Sequence, residues 1–197
     1  MATPRIPATV ITGFLGAGKT TLIRNIITRA NGRRLALIVN EFGDIGMDGA
    51  MLEDCGAESC GAEDIIELAN GCICCTLRED LLLEVNKLAK DKKFDYLVIE
   101  STGISEPLPV AETFTFADEE GVSLSDVAKL DTMVTVVDAA SLINHYSSTD
   151  FLKDKGESIG EEDNRTLVDL LVEQIEFANV IILNKIDLIS NCLLYTS

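Results

Sequence analysis

The amino-acid sequence predicts an α/β fold built on buried, parallel β-strands. Five short segments are almost continuously apolar, a pattern typical of strands that are covered on both faces. Segments with the helical spacing of apolar residues lie between several of them. The predicted strands are residues 6–12, 35–40, 94–99, 131–138 and 178–183, and the predicted helices are residues 21–29, 76–88, 110–117 and 167–177.

Length, charge and composition limit the classes of protein that fit this chain. Its 197 residues suffice for one domain with a sizeable core. The net charge of −17 argues against nonspecific binding to nucleic acid. No segment is long and apolar enough to span a membrane, and the N-terminus lacks the apolar core of a signal peptide. We therefore expect a cytoplasmic protein that binds neither nucleic acid nor a membrane.

The charge is unevenly distributed along the chain. Residues 1–40 contain no Asp or Glu, which suits the phosphate-binding end of a domain. Residues 41–67 contain nine carboxylates and no Lys or Arg, which suits a solvated segment that attracts cations. Two cysteines of this acidic segment, Cys55 and Cys60, are either plain loop thiols or an auxiliary metal pair.

The first predicted strand runs into a glycine-rich turn that fits the phosphate-binding template G-x-x-x-x-G-K-[ST] at every fixed position. Its glycines let backbone N–H groups approach phosphate oxygens, and the following helix points its positive end at the same place. Lys19 adds a full charge, and the Thr20 hydroxyl suits Mg²⁺. The predicted nucleotide-binding residues of this turn are Gly13, Gly16, Ala17, Gly18, Lys19, Thr20 and Thr21.

Acidic residues follow two other predicted strands. Glu41 could hold Mg²⁺ through water or a transported metal ion, and Asp44 is equally well explained as a solvated loop acid. Glu100 can hold Mg²⁺ through water or polarise a water molecule. Gly103 can bring its N–H to a γ-phosphate and so distinguish triphosphate from diphosphate. We assign Lys19 and Glu100 as candidate catalytic residues, and the sequence identifies no catalytic base.

Three of the six cysteines, Cys72, Cys74 and Cys75, lie within four positions. A capping box formed by Thr76 and Glu79 begins a helix directly after them, and a helix N-terminus favours the thiolate. Soft thiolates at this density favour Zn²⁺ or Cu⁺. Redox and purely structural roles remain alternatives, although near neighbours in C-x-C-C are too close for an unstrained disulfide.

The last predicted strand ends in N-K-x-D, formed by Asn184, Lys185 and Asp187. A carboxylate here accepts hydrogen bonds from the guanine N1–H and 2-amino groups, which adenine does not offer in that arrangement. Asn184 and Lys185 would brace the base and the phosphate loop. The motif therefore predicts guanine specificity.

The remaining segments carry weaker signals. Residues 105–109, with two prolines, are expected to stop regular structure before the helix at 110–117. Residues 118–131 are expected to be a polar connection, and residues 147–163 an exposed loop. His145 is interpreted as a surface residue, with metal binding as the alternative.

The C-terminal residues 191–197 do not continue the pattern, and we interpret them as a non-native tail. Back-translation of residues 192–197 matches a common transposon-end sequencing adapter. We expect a natural reading frame that ends near Ser190 or Asn191, and a P-loop GTPase domain that occupies residues 1–190. Genomic codons for residues 192–197 would refute this interpretation.

Taken together, these motifs resemble the CobW-type metallochaperone GTPases, which are relatives of the nickel-enzyme maturation GTPases HypB and UreG. The matching pieces are G-F-L-G-A-G-K-T-T at 13–21, V-N-E-F-G at 39–43, N-G-C-I-C-C at 70–75, E-S-T-G-I-S-E-P at 100–107, V-T-V-V-D at 134–138 and N-K-I-D at 184–187.

The resemblance implies a doubly wound, mostly parallel sheet with helices on both faces, that is, a Rossmann-like P-loop NTPase. It implies slow hydrolysis of Mg²⁺–GTP, Zn²⁺ or cobalt on Cys72, Cys74 and Cys75 with Glu41 as an additional ligand, and metal delivery to a client protein. A nucleotide-dependent dimer is a further expectation. The family's C-terminal domain and the guanine-loop segment after Asp187 have no counterpart in the sequence, and the insertion at 48–64 is long.

The hypothesis that follows is a GTPase in which contacts of GTP–Mg²⁺ with Glu41 and Gly103 shape the metal site at 72–75. Two alternatives remain at this point. One is a metal-sequestering or redox-sensing protein with vestigial nucleotide binding. The other is an adenine-specific kinase or ATPase.

Overall fold

The computed structural model describes residues 5–39, 65–67, 85, 94–117, 121, 123–155 and 164–190. Within them, six strands form one sheet in the order β3-β2-β4-β1-β5-β6. Every pair of neighbouring strands is parallel. The strands are β1 (Ile6–Thr12), β2 (Leu35–Val39), β3 (Ile65–Glu67), β4 (Tyr96–Glu100), β5 (Ala128–Asp138) and β6 (Val180–Asn184). The predicted parallel α/β sheet is confirmed.

The helices of the described chain are short. They are α1 (Lys19–Thr28), α2 (Pro107–Glu112), α3 (Leu142–Tyr146) and α4 (Leu167–Glu176), with 3₁₀ turns at Leu124–Asp126, Leu152–Lys155 and Ile186–Leu188. None of the helices in the described ranges is long and apolar enough to cross a bilayer.

The central strands β1, β2 and β4 are buried on both faces, which explains their continuous apolar runs. The edge strand β6 differs, because its apolar residues Val180, Ile181 and Leu183 are exposed in the described part of the chain. In β2, Ala36 and Ile38 join one apolar cluster with Val110 of α2, whereas Leu37 and Val39 join another on the opposite face. That second cluster includes Ile23 of α1. Helices therefore cover both faces, as expected for a doubly wound fold.

A third cluster lies beyond the carboxyl end of the sheet. Leu167, Leu170 and Leu171 of α4 pack there with Phe14 and Ile104, which belong to the loops after β1 and β4. Helix α4 therefore supports the loops at this end of the sheet.

The strand register brings the ends of four strands together. Ile11 of β1 is paired with Glu100 of β4, and Thr12 is paired with Thr135 of β5. Asp138 at the end of β5 is paired with Asn184 at the end of β6. Because the strands are parallel, the loops that follow all four lie at one edge, where α/β sheets bind ligands.

Two predicted boundaries and one predicted exposed residue were wrong. The helix predicted at 110–117 is α2, which begins at Pro107 because a proline in the first turn has a suitable fixed φ and needs no hydrogen-bond partner. Strand β5 begins at Ala128, inside the predicted polar connection. Leu152, in the predicted exposed loop, is fully buried. Of the helix predicted at 76–88, the structure describes Val85, which is helical and buried.

The core assignment predicts unequal costs for two leucine truncations. Leu97 of β4 is 1% exposed and Leu108 of α2 is 43% exposed. Leu97→Ala should lower the free energy of unfolding by about 2–5 kcal/mol, because it leaves a cavity in the core. Leu108→Ala should change it by less than about 0.5 kcal/mol. Urea denaturation measures both, and equal costs would contradict the packing described above.

Candidate functional site

The candidate site lies where the phosphate loop, residues 13–20, meets the ends of β4, β5 and β6. The loop follows β1 directly and leads into α1. Most candidate residues predicted from the sequence belong to these elements. The structure brings the described ones together at this edge of the sheet.

Two glycines of the phosphate loop have no room for a side chain. Gly13 has a φ of 133°, and a Cβ atom there would overlap the carbonyl oxygen of Val136 in β5. Gly18 has a φ of 103°, and a Cβ atom there would overlap the side-chain amide of Asn184. At Gly13 the obstacle is backbone, so this approach to β5 requires glycine, and at Gly18 the positive φ favours glycine.

Lys19 is the first residue of α1, yet its side chain turns back to the loop. It is 8% exposed. Its Nζ donates hydrogen bonds to the carbonyl oxygens of Gly13 at 2.9 Å and of Phe14 at 3.3 Å. A full positive charge is thus held inside the turn whose backbone would surround a phosphate chain.

Thr20 and Glu100 form an oxygen pair beside the loop. The Thr20 hydroxyl donates a hydrogen bond of 3.2 Å to Oε1 of Glu100, which is 7% exposed at the end of β4. A hydroxyl and a carboxylate at this spacing suit a hard cation such as Mg²⁺, which takes few protein ligands and keeps several waters.

Residues 101–105, here called the Gly103 segment, pack against the phosphate loop. The N–H of Ser101 donates to the carbonyl oxygen of Ile11 at 3.0 Å, which extends the pairing of β4 with β1. At Gly103, a Cβ atom would overlap the backbone nitrogen and side chain of Leu15. A glycine is therefore required where the two loops touch.

The N-K-x-D motif connects β6 to the phosphate loop. The Asn184 side chain donates a hydrogen bond of 2.8 Å to the carbonyl oxygen of Ala17. Lys185 adopts a left-handed backbone conformation with a φ of 58°. Asp187 is exposed in the 3₁₀ turn that follows. The two ends of the site, far apart in sequence, are thus joined by a direct contact.

Asp138, at the end of β5, received no role in the sequence analysis. It accepts an ion-paired hydrogen bond of 2.6 Å from Lys185 Nζ, and bonds from the N–H groups of Ala140 and Ser141. Burial raises the pKa of Asp138, but the bonds from Lys185 and Ala140 outweigh burial, so its pKa is lowered. Asp138 therefore stays ionised and fixes Lys185. In the sequence, the only signal for Asp138 is its position at the end of a predicted strand.

The remaining predicted nucleotide-binding residues are less constrained. Gly16 has a φ of 71° and open space where a Cβ atom would be. Thr21 is exposed in the first turn of α1.

His145, on α3, is half-buried, and its ring meets that of Phe14 edge-on with centroids 5.4 Å apart.

The predicted transition-metal site lies outside the described residues. Its residues are Cys72, Cys74, Cys75 and Glu41, and all four lie outside the described ranges. The same holds for Asp44, Cys55 and Cys60. Over the described ranges, no group of three or more His, Cys, Asp or Glu side chains could hold a metal ion. The metal assignment therefore remains a prediction from the sequence.

Comparisons with known proteins give relatives across most of the chain. The zinc-regulated GTPase metalloprotein activator 1 of Dictyostelium discoideum is 50% identical over 94% of this chain and 41% of its own. The zinc chaperone CobW of Sinorhizobium sp is 44% identical over 94% of this chain and 52% of its own. The chain thus spans about half the length of these curated relatives.

A solved structure agrees with the fold. The crystal structure of a Zn(II)-bound triple mutant of the YjiA GTPase, in which one glutamate and two cysteines are replaced by alanine, is 26% identical. Its TM-score is 0.62, covering 98% of this chain and 54% of that one. The observed sheet, the phosphate loop and this likeness together give a P-loop NTPase fold.

Residues 7–195 match the family described as CobW/HypB/UreG, nucleotide-binding domain. The match includes the phosphate loop and the N-K-x-D strand end. This chain therefore belongs to the CobW/HypB/UreG family through its nucleotide-binding domain.

Proposed function

We propose that this protein binds and slowly hydrolyses GTP, and that the nucleotide controls a zinc or cobalt ion held by Cys72, Cys74 and Cys75 for delivery to a client protein. The hydrogen bond from Asn184 to the phosphate loop carries the nucleotide half of the proposal. Because it joins the N-K-x-D strand end to the loop, one continuous surface can contact both the base and the phosphates of a nucleotide.

The phosphate end of this surface supports triphosphate binding. Gly13 and Gly18 let the loop backbone close around phosphate oxygens, and α1 begins at Lys19 with its positive end at the loop. The buried Lys19 ammonium, now held by two loop carbonyls, would exchange them for phosphate oxygens. Positioning and charge neutralisation of this kind account for most of the catalysis in phosphoryl transfer.

The oxygen pair beside the loop fits a magnesium ion. Thr20 would ligate it directly and Glu100 through water, since both oxygens already lie 3.2 Å apart next to the loop. When bound, Mg²⁺ neutralises charge on the β- and γ-phosphates. Glu100 also remains the candidate for polarising the attacking water.

The metal half of the proposal rests on the sequence and the relatives. Soft thiolates in C-x-C-C favour zinc, and both curated relatives carry zinc in their names. A reducing cytoplasm would keep these thiols available. The client and a nucleotide-dependent dimer belong to the same proposal.

We propose that the two sites are coupled through their shared segments. Contacts of GTP–Mg²⁺ with Glu41 and Gly103 would order the segments that shape the thiolate site, and hydrolysis would release them. Metal and nucleotide must then affect each other's affinity by the same factor.

Removing the loop ammonium tests hydrolysis. Lys19→Ala should lower GTP turnover by at least about 100-fold, because one preorganised positive charge on the transferred phosphate is lost. Lys129→Ala, at an exposed position of β5, is the control and should keep wild-type turnover. Phosphate release under single-turnover conditions is the measurement. Wild-type turnover by folded Lys19→Ala protein would contradict the proposed role.

Changing the base-reading carboxylate tests guanine specificity. Asp187→Asn should weaken GTP binding by about 10- to 150-fold, because the asparagine amide can accept only one of the two hydrogen bonds from guanine and a hydrogen bond to a charged acceptor is worth about 1.5–3 kcal/mol. The same variant should gain affinity for XTP, whose 2-carbonyl group accepts from the asparagine amide. Competition of GTP, ATP and XTP for a fluorescent nucleotide measures both effects. Wild-type binding of ATP as tight as that of GTP would refute the specificity.

Replacing one thiol of the motif tests the metal site. Cys72→Ser should lower the zinc bound under reducing conditions to less than half of the wild-type content, because a hydroxyl is a far poorer zinc ligand than a thiolate. Cys192→Ser, outside the motif, is the matched control. Metal analysis after gel filtration gives the content, and equal zinc in both variants would exclude the motif as the site.

A further inference from the structure

Gln174 of α4 is a buried polar residue that the proposed function does not yet use. Its side chain is 1% exposed. The Nε2 amide donates two hydrogen bonds, to the carbonyl oxygens of Gly103 at 3.2 Å and of Ser105 at 3.3 Å. Its Oε1 has no hydrogen-bond partner within the described part of the chain. Because both partners are acceptors, only the NH₂ group can face them, and the orientation of the amide is fixed.

An unpaired buried carbonyl is costly, so this amide requires an explanation. Leaving a buried acceptor without a partner costs about 1–3 kcal/mol, whereas a residue such as Leu or Met would fill the same space without that cost. Neighbouring α4 residues Leu170 and Leu171 are apolar and buried, as expected for a core helix face. The two bonds to the Gly103 segment are what an apolar residue at 174 could not supply.

The Gly103 segment needs such a constraint. Gly103 must be glycine because a Cβ atom would overlap Leu15 of the phosphate loop. Glycine, however, gives the backbone maximal freedom, so its peptide groups have no preferred orientation of their own. Two hydrogen bonds from one rigid amide to the carbonyls of Gly103 and Ser105 remove that freedom.

Gln174 also links the Gly103 segment to the start of the phosphate loop. The Thr135 hydroxyl donates to the backbone carbonyl of Gln174 at 2.5 Å. Thr135 and Thr12 share a hydroxyl–hydroxyl hydrogen bond of 2.8 Å, and Thr12 precedes Gly13. Thr12 and Thr135 are at most 2% exposed. A continuous buried path therefore runs from Gly103 through α4 and β5 to the loop.

From these contacts we infer that Gln174 is a positioning residue for the proposed GTPase: it holds the Gly103 segment against the phosphate loop so that the protein prefers GTP to GDP. This inference rests on the proposed function, in which Gly103 contacts GTP, and on the sequence prediction that its N–H reaches the γ-phosphate. Gln174 does not touch the nucleotide in this account. It acts by fixing the backbone that does.

Gln174→Met tests the inference at nearly constant volume. The variant removes the two donors and the unpaired Oε1 together, and it leaves the backbone carbonyl that accepts from Thr135. The ratio of GTPγS affinity to GDP affinity should fall by about 10-fold. The fall should come chiefly from weaker GTPγS binding, since GDP lacks the γ-phosphate that the Gly103 N–H would contact. Glu176→Met, on the exposed side of α4, is the matched control and should keep the wild-type ratio.

Binding titrations with GTPγS and with GDP measure this ratio. An equal loss of affinity for both nucleotides would indicate a purely structural role and overturn it, and so would an unchanged ratio. If Gln174→Met does not fold, Gln174→Asn replaces it, because a side chain shorter by one methylene cannot span both carbonyls. Gln174→Asn should show the same selective loss. Wild-type protein that binds neither nucleotide would instead refute the proposed function itself.

Discussion

The structure depends on a close approach of the phosphate loop to two neighbouring strands. Gly13 lies against the carbonyl oxygen of Val136, and Gly18 lies against the amide of Asn184. A side chain at Gly13 would meet the backbone of β5, and both glycines have a positive φ that L-residues rarely adopt. This contact fixes where the loop amides and the Lys19 ammonium are held. The oxygen pair, the N-K-x-D turn and the Gly103 segment are all placed relative to it.

Several polar side chains at this edge of the sheet are held by hydrogen bonds to other protein groups. Asp138 fixes Lys185, and the Thr12–Thr135–Gln174 path joins loops that lie on different strands. A satisfied hydrogen bond adds only about 0.5–1.5 kcal/mol, but breaking one in a buried setting costs the desolvation of both groups. Such a network favours one arrangement of the site over loosened alternatives. The proposed discrimination between GTP and GDP requires such a single arrangement.

The sequence was sufficient for five of the six parallel strands and for the phosphate loop, because apolar runs and fixed motif spacing reflect local constraints. It did not predict the short strand β3. The contact of Asn184 with the phosphate loop was predicted only from the N-K-x-D motif. The sequence could not reveal Gln174, because its role depends on which elements become neighbours and no local pattern records that. For Asp138 it offered only the position at the end of a predicted strand. The start of α2 was misplaced because two prolines were interpreted as a break, whereas Pro107 begins the helix. Leu152 was missed since polar neighbours masked one buried apolar side chain.

The central claim is that a triphosphate in the loop and a metal ion on the thiolates influence each other. The most direct measurement is the affinity for a non-hydrolysable GTP analogue, and separately for GDP, across a series of buffered free Zn²⁺ concentrations. The account predicts that zinc changes the affinity for the analogue by about 5- to 150-fold and leaves that for GDP nearly unchanged. Analogue and GDP affinities that are both independent of zinc would contradict it.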